Sequence, residues 1–318
     1  MPNPYVSGVR PAMPPVPRAS RRARRVRLLI IGCGDVGQRI LRLLPGQGHA
    51  VQVLALTSSP EKMPVLRAAG ALPVLGNLDD AASLRRLAGV AQYVLHLAPP
   101  PGQGQTDTRT QALLRALGRR SVPRALVYVS TTGVYGDAGG AWVDESCPVA
   151  PRTARAQRRV QAEQQLRRFG QHRGIRLALL RAPGIYAPDR VGGTPRTRLE
   201  KGLPVLRAQD DVFTNHIHAD DLARAAWLAL WRAPAQRAFN VCDDRVLRMG
   251  DYFDQAADLY GLPRPPRVDR AQAQTLLSPM VLSFMSESRR LRNARLKTEL
   301  RLQLRWPDVL QGLAAAGG

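Results

Sequence analysis

The sequence predicts an α/β fold, a doubly wound parallel sheet with a small, interwoven C-terminal α/β lobe. Three observations carry that expectation. From Val26 onward, short and fully apolar runs alternate with amphipathic stretches of helical period; strands apolar on both faces belong to a parallel sheet covered by helices on both sides. The first run leads into a glycine-rich turn, Gly32-Cys33-Gly34-Asp35-Val36-Gly37, and then a helical pattern. The chain has 318 residues, enough to bury a substantial core.

In order, the strands expected are VRLLIIG, VQVLALT, LPVLGNL, YVLHLA, ALVYVS and IRLALLR, with AFNVC late in the chain. DVGQRILRLL, DDAASLRRLAG and TRTQALLRALGRR read as helices between the early strands. RTARAQRRVQAEQQLRRFGQHRG reads as a long basic helix before IRLALLR. After about Ile185 the pattern loosens into Gly/Pro-rich loops. A helix follows near ADDLARAAWLALW, and RRLRNARLKTELRLQLRW reads as a basic helical face. Residues 1–25, rich in Pro and Arg without apolar period, are expected to be a disordered extension. The core then spans 26–185 and the second lobe 186–318. The extension lacks the apolar stretch of a secretory signal; an organelle transit peptide and a start upstream of the true one, with Met13 available, both stand as readings.

The charge balance is strongly basic, with 47 Lys+Arg against 24 Asp+Glu and a net charge of +23. Only Lys62, Lys201 and Lys297 are lysines, so the excess is arginine and reads as compositional bias more than a designed patch. No basic stripe interleaved with aromatics appears, which argues against a specific nucleic-acid partner. No apolar run is long enough to cross a bilayer. Three scattered cysteines, Cys33, Cys147 and Cys242, show no metal spacing and suggest a reducing compartment.

In the glycine turn, Gly32 permits the tight bend, Gly34 lets backbone approach a pyrophosphate, and Gly37 lets the helix pack on the strand. Phosphate would sit at the helix N-terminus with Asp35 and Val36, where free N–H groups and the dipole favour an anion. This strand–turn–helix context predicts a Rossmann core binding NAD or NADP; the plainer reading is a turn that serves packing alone. The second strand ends Leu56-Thr57-Ser58-Ser59, without an acid for the ribose 2′-hydroxyl. Thr57 and Ser58 suit a 2′-phosphate and Lys62 adds charge, which favours NADP; the alternative is a relaxed preference.

Further fragments continue the pattern: Gly76-Asn77-Leu78-Asp79, His96-Leu97-Ala98, Val129-Ser130-Thr131-Thr132-Gly133-Val134-Tyr135-Gly136, and Leu180-Arg181-Ala182-Pro183-Gly184-Ile185-Tyr186. Ile217-His218-Ala219-Asp220-Asp221-Leu222-Ala223 and Phe239-Asn240-Val241 complete it. In order and spacing the chain resembles the extended short-chain dehydrogenase/reductase family, the NAD-dependent epimerases and dehydratases, from Val26 to the C-terminus. Its G-x-G-x-x-G replaces the G-x-x-G-x-x-G usual there, marking an atypical branch. The resemblance implies that Asn77, in place of the commoner Asp, and Leu78 flank the adenine. Leu97, Ala98 and Pro99 would line the central part of the cofactor, and Pro183, Ile185 and Tyr186 would approach the nicotinamide. Thr131 falls at the family's catalytic Ser/Thr. For the apolar members core packing is the plainer reading, and for Tyr135 and Tyr186 a buried hydroxyl bonded to backbone.

The family's Tyr-x-x-x-Lys pair is missing. Ala162-Glu163 sets the register and places Arg155 at the tyrosine position and Arg159 at the lysine position. The i, i+4 spacing puts both on one helical face. A tyrosine beside an ammonium shuttles a proton; arginine stays protonated and accepts nothing, though it can hold a phosphate or carboxylate. Two readings remain open. Either another acid serves, with Tyr135 the first candidate and Thr131 its orienter, or the fold binds NAD(P) without turnover as a sensor or scaffold.

Other constellations read as structural. His216-x-His218 places two imidazoles on one strand face without an evident third ligand, so no metal is expected. Asp220 and Asp221 suit a helix start, and Asp144-Glu145 a capped loop. The function expected is thus an NAD(P)-dependent oxidoreductase or epimerase/dehydratase, cytoplasmic, on a small or nucleotide-linked carbonyl or hydroxyl compound bound between core and lobe. Arg155 and Arg159 are the candidate substrate or anion contacts. A membrane partner is not expected, and a homodimer is compatible with the sequence.

Overall fold

The structure, a computed structural model, describes residues 26–44 and 51–315; the extension expected over 1–25 lies outside the described residues. The seven apolar runs pair into a single parallel sheet. Its strands are β1 (Val26–Ile31), β2 (Val51–Thr57), β3 (Leu72–Leu75), β4 (Tyr93–His96), β5 (Ala125–Thr131), β7 (Arg176–Ala182) and β12 (Arg237–Asn240). They lie in the order β12-β7-β5-β4-β1-β2-β3. The chain winds outward from β1 to β3, then returns to lay β4 against the other side of β1. That reversal opens a crevice at the C-terminal ends of β1 and β4, where doubly wound sheets bind ligands.

Alternate residues of the inner strands feed two cores. Leu28, Ile30, Val53 and Val127 pack on one face with Ile40 of helix α1 (Asp35–Leu43) and with Trp227 and Leu230 of α6 (Ala219–Arg232). Leu29, Ile31, Leu126 and Leu179 pack on the other with Leu113 of α3 (Thr108–Leu117) and Leu166 of α4 (Ala154–Arg173). Burial on both faces is why the inner strands are apolar throughout; the edge strand β3 leaves Leu72 and Leu75 half exposed. The long basic helix keeps its expected bounds: Thr153 caps the first turn by accepting from the Ala156 N–H, and Gly174 ends it in the left-handed conformation.

The C-terminal half is built from short pieces. β8 (Gly184–Tyr186) runs parallel to β11 (His216–His218), and β10 (Phe213–Thr214) pairs with β13 (Leu247–Arg248). Helices α5 (Arg196–Glu200) and α7 (Met249–Tyr260) pack around Tyr186, Tyr252 and Phe253. Between these pieces α6 and β12 rejoin the main sheet.

Two segments differ from expectation. DDAASLRRLAG forms only a short 3₁₀ helix over Ser83–Leu87, which buries Leu84 and Leu87. RRLRNARLKTELRLQLRW is not a continuous helix. It holds a short helix at Ala294–Thr298 and then irregular backbone that turns at Arg301, whose φ is +51°, with Leu300 and Leu302 buried and Arg301 and Gln303 exposed. The period-two pattern of its leucines packs against the core beside α6 and overrides the helical propensity.

Candidate functional site

A cavity of about 840 Å³ opens at the C-terminal ends of the sheet strands and extends into the second lobe. Its floor at one end is the glycine turn, with Gly32, Gly34, Asp35 and Val36, facing Leu97 at the end of β4. Gly32 has φ +80°, and a side chain there would strike the Ala98 backbone at 2.7 Å. A Cβ on Gly34 would meet nothing within 4 Å, so the turn presents open space beside the first turn of α1, which has no side-chain cap. Gly37 packs against Cys33 and Ile30. This is a cradle that fits a pyrophosphate: free N–H groups, a helix N-terminus and room for the anion.

The middle of the cavity is lined by Thr131 at the end of β5 and by Arg155 and Arg159 of α4, and its further wall by Pro183, Ile185 and Tyr186. The structure thus brings together the glycine turn, Leu97, Thr131, both arginines and the Pro183–Tyr186 strand. Thr57, Ser58, Asn77, Leu78, Ala98 and Pro99 do not line the cavity; they stand at the adjoining ends of β2, β3 and β4. Thr57 exchanges hydrogen bonds with Ser59, and the Asn77 side chain accepts from the Asp79 N–H at 3.0 Å. Ala98 is buried beneath Gly32, and the Pro99 carbonyl accepts from Arg109.

Tyr135 is not brought to the cavity. It packs in a small core with Val134, Val143 and Leu291, its hydroxyl donates to Asn240, and burial pushes that hydroxyl up to about 12. Tyr186 lies against the edge faces of His216 and His218, and its buried hydroxyl has no partner among the described residues. Burial holds His216 neutral, down to about 4. Among the described residues no group of three or more potential ligands gathers around either histidine.

The two arginines differ. Arg159 donates to the Tyr128 hydroxyl at 2.9 Å and to the Val129 carbonyl at 2.8 Å, which ties α4 to β5. Arg155 makes no hydrogen bond among the described residues; its guanidinium stacks over Phe284 at 4.7 Å, and burial lowers its pKa while nearby Glu287 raises it. Glu163, the residue that sets the register, forms a buried two-pronged pair with Arg181.

Several cavity residues carry no motif and escaped the sequence reading. Arg198 stacks on Phe253 and is lowered to about 10 by burial. Arg190 pairs with Asp35. Glu287 and Arg289 form a wall beside Arg155: one Glu287 oxygen accepts from Arg289 at 2.8 Å, and the other is buried without a partner. Asp35 and Glu287 are the carboxylates that line the cavity. Asp144 serves the loop, accepting from the Ser146 N–H, whereas the Glu145 side chain is buried and accepts from the Asn240 N–H of β12.

A family model described as the NAD dependent epimerase/dehydratase family matches residues 28–242. Among solved structures, a functionally unknown conserved protein from Silicibacter pomeroyi is 32% identical, with a TM-score of 0.72 over 92% of this chain and 98% of that one. UDP-glucose 4-epimerase of Thermotoga maritima, solved with UDP-glucose, is 17% identical, with a TM-score of 0.74 over 92% and 97%. A dTDP-glucose 4,6-dehydratase double mutant from Streptomyces venezuelae, solved with NAD bound, is 22% identical, with a TM-score of 0.74 over 92% and 95%. These last two share the fold. No curated protein matches the chain. Among the described residues no helix is long and apolar enough to cross a membrane.

Proposed function

Because the chain belongs to the NAD dependent epimerase/dehydratase family, we propose that it is a nicotinamide-dependent oxidoreductase or epimerase acting on a small or nucleotide-linked carbonyl or hydroxyl compound. One observation carries this reading: a single cavity runs from the Gly32–Val36 cradle past Thr131 to Pro183–Tyr186 and on to arginines of the second lobe. The cradle would hold the pyrophosphate, and Pro183 and Ile185 the nicotinamide. When bound, the dinucleotide supplies hydride acceptance or donation.

The protein's own work is orientation and proton handling. Thr131 Oγ accepts from the Gly133 N–H, which leaves its own proton to donate to a substrate oxygen. Arg155, with no internal hydrogen bond, offers its fork to an anionic or carbonyl group of the substrate. Arg159 is occupied at the sheet and acts as a strut. Since neither arginine can take a proton, and Tyr135 is sequestered, Glu287, the carboxylate that lines the cavity beside Arg155, is the group that accepts or returns one. Arg289 keeps that carboxylate in place.

A calorimetric titration with NAD and NADP, followed by a panel of alcohols, ketones and nucleotide sugars monitored by nicotinamide absorbance, tests the proposal. Binding with turnover supports it, and no binding rejects it. The second reading, cofactor binding without turnover, is favoured by the commitment of Arg159 to Tyr128 and Val129; binding with no turnover across the panel would select it.

A further inference from the structure

We infer that Arg190 is a ligand for the pyrophosphate of the bound dinucleotide, held by Asp35 until the cofactor arrives, so that this pair sets cofactor affinity. The inference rests on the cofactor reading above. Asp35 opens α1 directly after Gly34, with its carboxylate at the cavity floor. One carboxylate oxygen accepts from Arg39 Nε at 3.0 Å, the other from Arg190 Nη1 at 2.7 Å.

The two guanidiniums are not equivalent. Arg39 has a side chain only 3% exposed and also binds Asp189 and Asp220, the latter at 2.6 Å. Burial opposes its charge, but three carboxylates more than offset that and hold its pKa above the ordinary value. It cannot leave. Arg190 has a side chain 30% exposed, and Asp35 is its ion-pair partner among the described residues. It sits on the loop that follows β8 and lines the cavity together with Gly192 and Gly193.

The cluster therefore holds three carboxylates against two guanidiniums, a net negative spot in a chain of net charge +23. It lies where the glycine turn would receive a doubly charged diphosphate. A phosphate there meets Asp35 at close range, and that contact is repulsive unless a cation stands between them. Arg190 bonds Asp35 and lines the same cavity as the glycine turn, and its planar fork matches phosphate oxygens. Turning toward the phosphate while Arg39 stays on Asp35 places the Arg190 charge between the two anions and draws the 187–195 loop over the cofactor. Asp35 thereby weakens dinucleotide binding, and Arg190 restores it.

The test is titration calorimetry of the full chain with two probes: ADP-ribose, which carries the pyrophosphate, and adenosine, which does not. Arg190→Ala should weaken ADP-ribose about tenfold or more and leave adenosine unchanged, with Arg190→Lys retaining most of the affinity. Asp35→Asn should tighten ADP-ribose several-fold, and the double variant should lose less than Arg190→Ala alone. Unchanged ADP-ribose affinity in Arg190→Ala, or equal loss for both probes, overturns the inference and leaves the cofactor reading standing. A wild-type protein that binds neither ADP-ribose nor NAD(P) overturns both.

Discussion

The Tyr135 hydroxyl donates to Asn240 Oδ1 at 2.7 Å, and the Asn240 amide in turn donates to the carbonyls of Val143 and Arg292. This joins the turn after β5 to the edge strand β12 and to the C-terminal segment. Tyr135 is therefore a structural hydroxyl. Tyr135→Phe should cost about 1–2 kcal/mol by stranding the asparagine oxygen, read as a lower Tm, with kcat close to wild type. Lost turnover at unchanged Tm would return Tyr135 to the chemistry.

Glu287 gives the opposite expectation. Glu287→Gln keeps the shape of the cavity wall but cannot take a proton. Turnover should fall on the order of a hundredfold or more, and calorimetric affinity for NAD(P) should stay the same. Unchanged turnover assigns the proton to another group.

The Glu163–Arg181 pair is buried on both sides, with side chains 5% and 6% exposed. Removing one partner leaves an uncompensated buried charge, so Glu163→Gln should cost about 3–5 kcal/mol. Replacing both by Met should cost less than either single change. Denaturant unfolding of the three variants measures this, and additive losses contradict it.

Burial pushes the Asp243 carboxyl up to about 8 from its ordinary 3.8, and one of its oxygens has no partner among the described residues. Between those values the folded chain keeps a proton that the unfolded chain releases. Its contribution to stability is therefore full at low pH and is lost as pH rises through 8. His216 has the reverse sign: lowered from 6.5 to about 4 by burial, it loses stability as pH falls through that window. The Tm of Asp243→Asn relative to wild type should rise steadily from pH 4 to 8; a constant offset refutes the assignment.

Lys62 stands exposed beyond the end of β2, in the 3₁₀ turn Pro60–Lys62. Lys62→Ala should lower NADP affinity about fivefold, the effect of roughly 1 kcal/mol from one exposed charge, and leave NAD unchanged. Equal losses for both cofactors would remove Lys62 from any 2′-phosphate contact.

The main sheet was legible because burial on two faces demands apolar runs in its inner strands, and all seven runs became its strands, the half-exposed β3 included. The cradle was legible because a positive φ at Gly32 and the close packing of Gly37 leave no other residue type. The short C-terminal elements were not, since the leucines from Leu300 onward follow the surface of α6 and not an intrinsic helical period. By itself, then, the sequence determined the doubly wound core, the glycine turn and the replacement of the expected tyrosine and lysine by Arg155 and Arg159. Only the tertiary structure decided which groups meet in the cavity. Tyr135 is drawn away by Asn240, 105 residues later, while Glu287 and Arg190 are carried in on loops of the second lobe. Such meetings depend on chain reversals that local periodicity does not record.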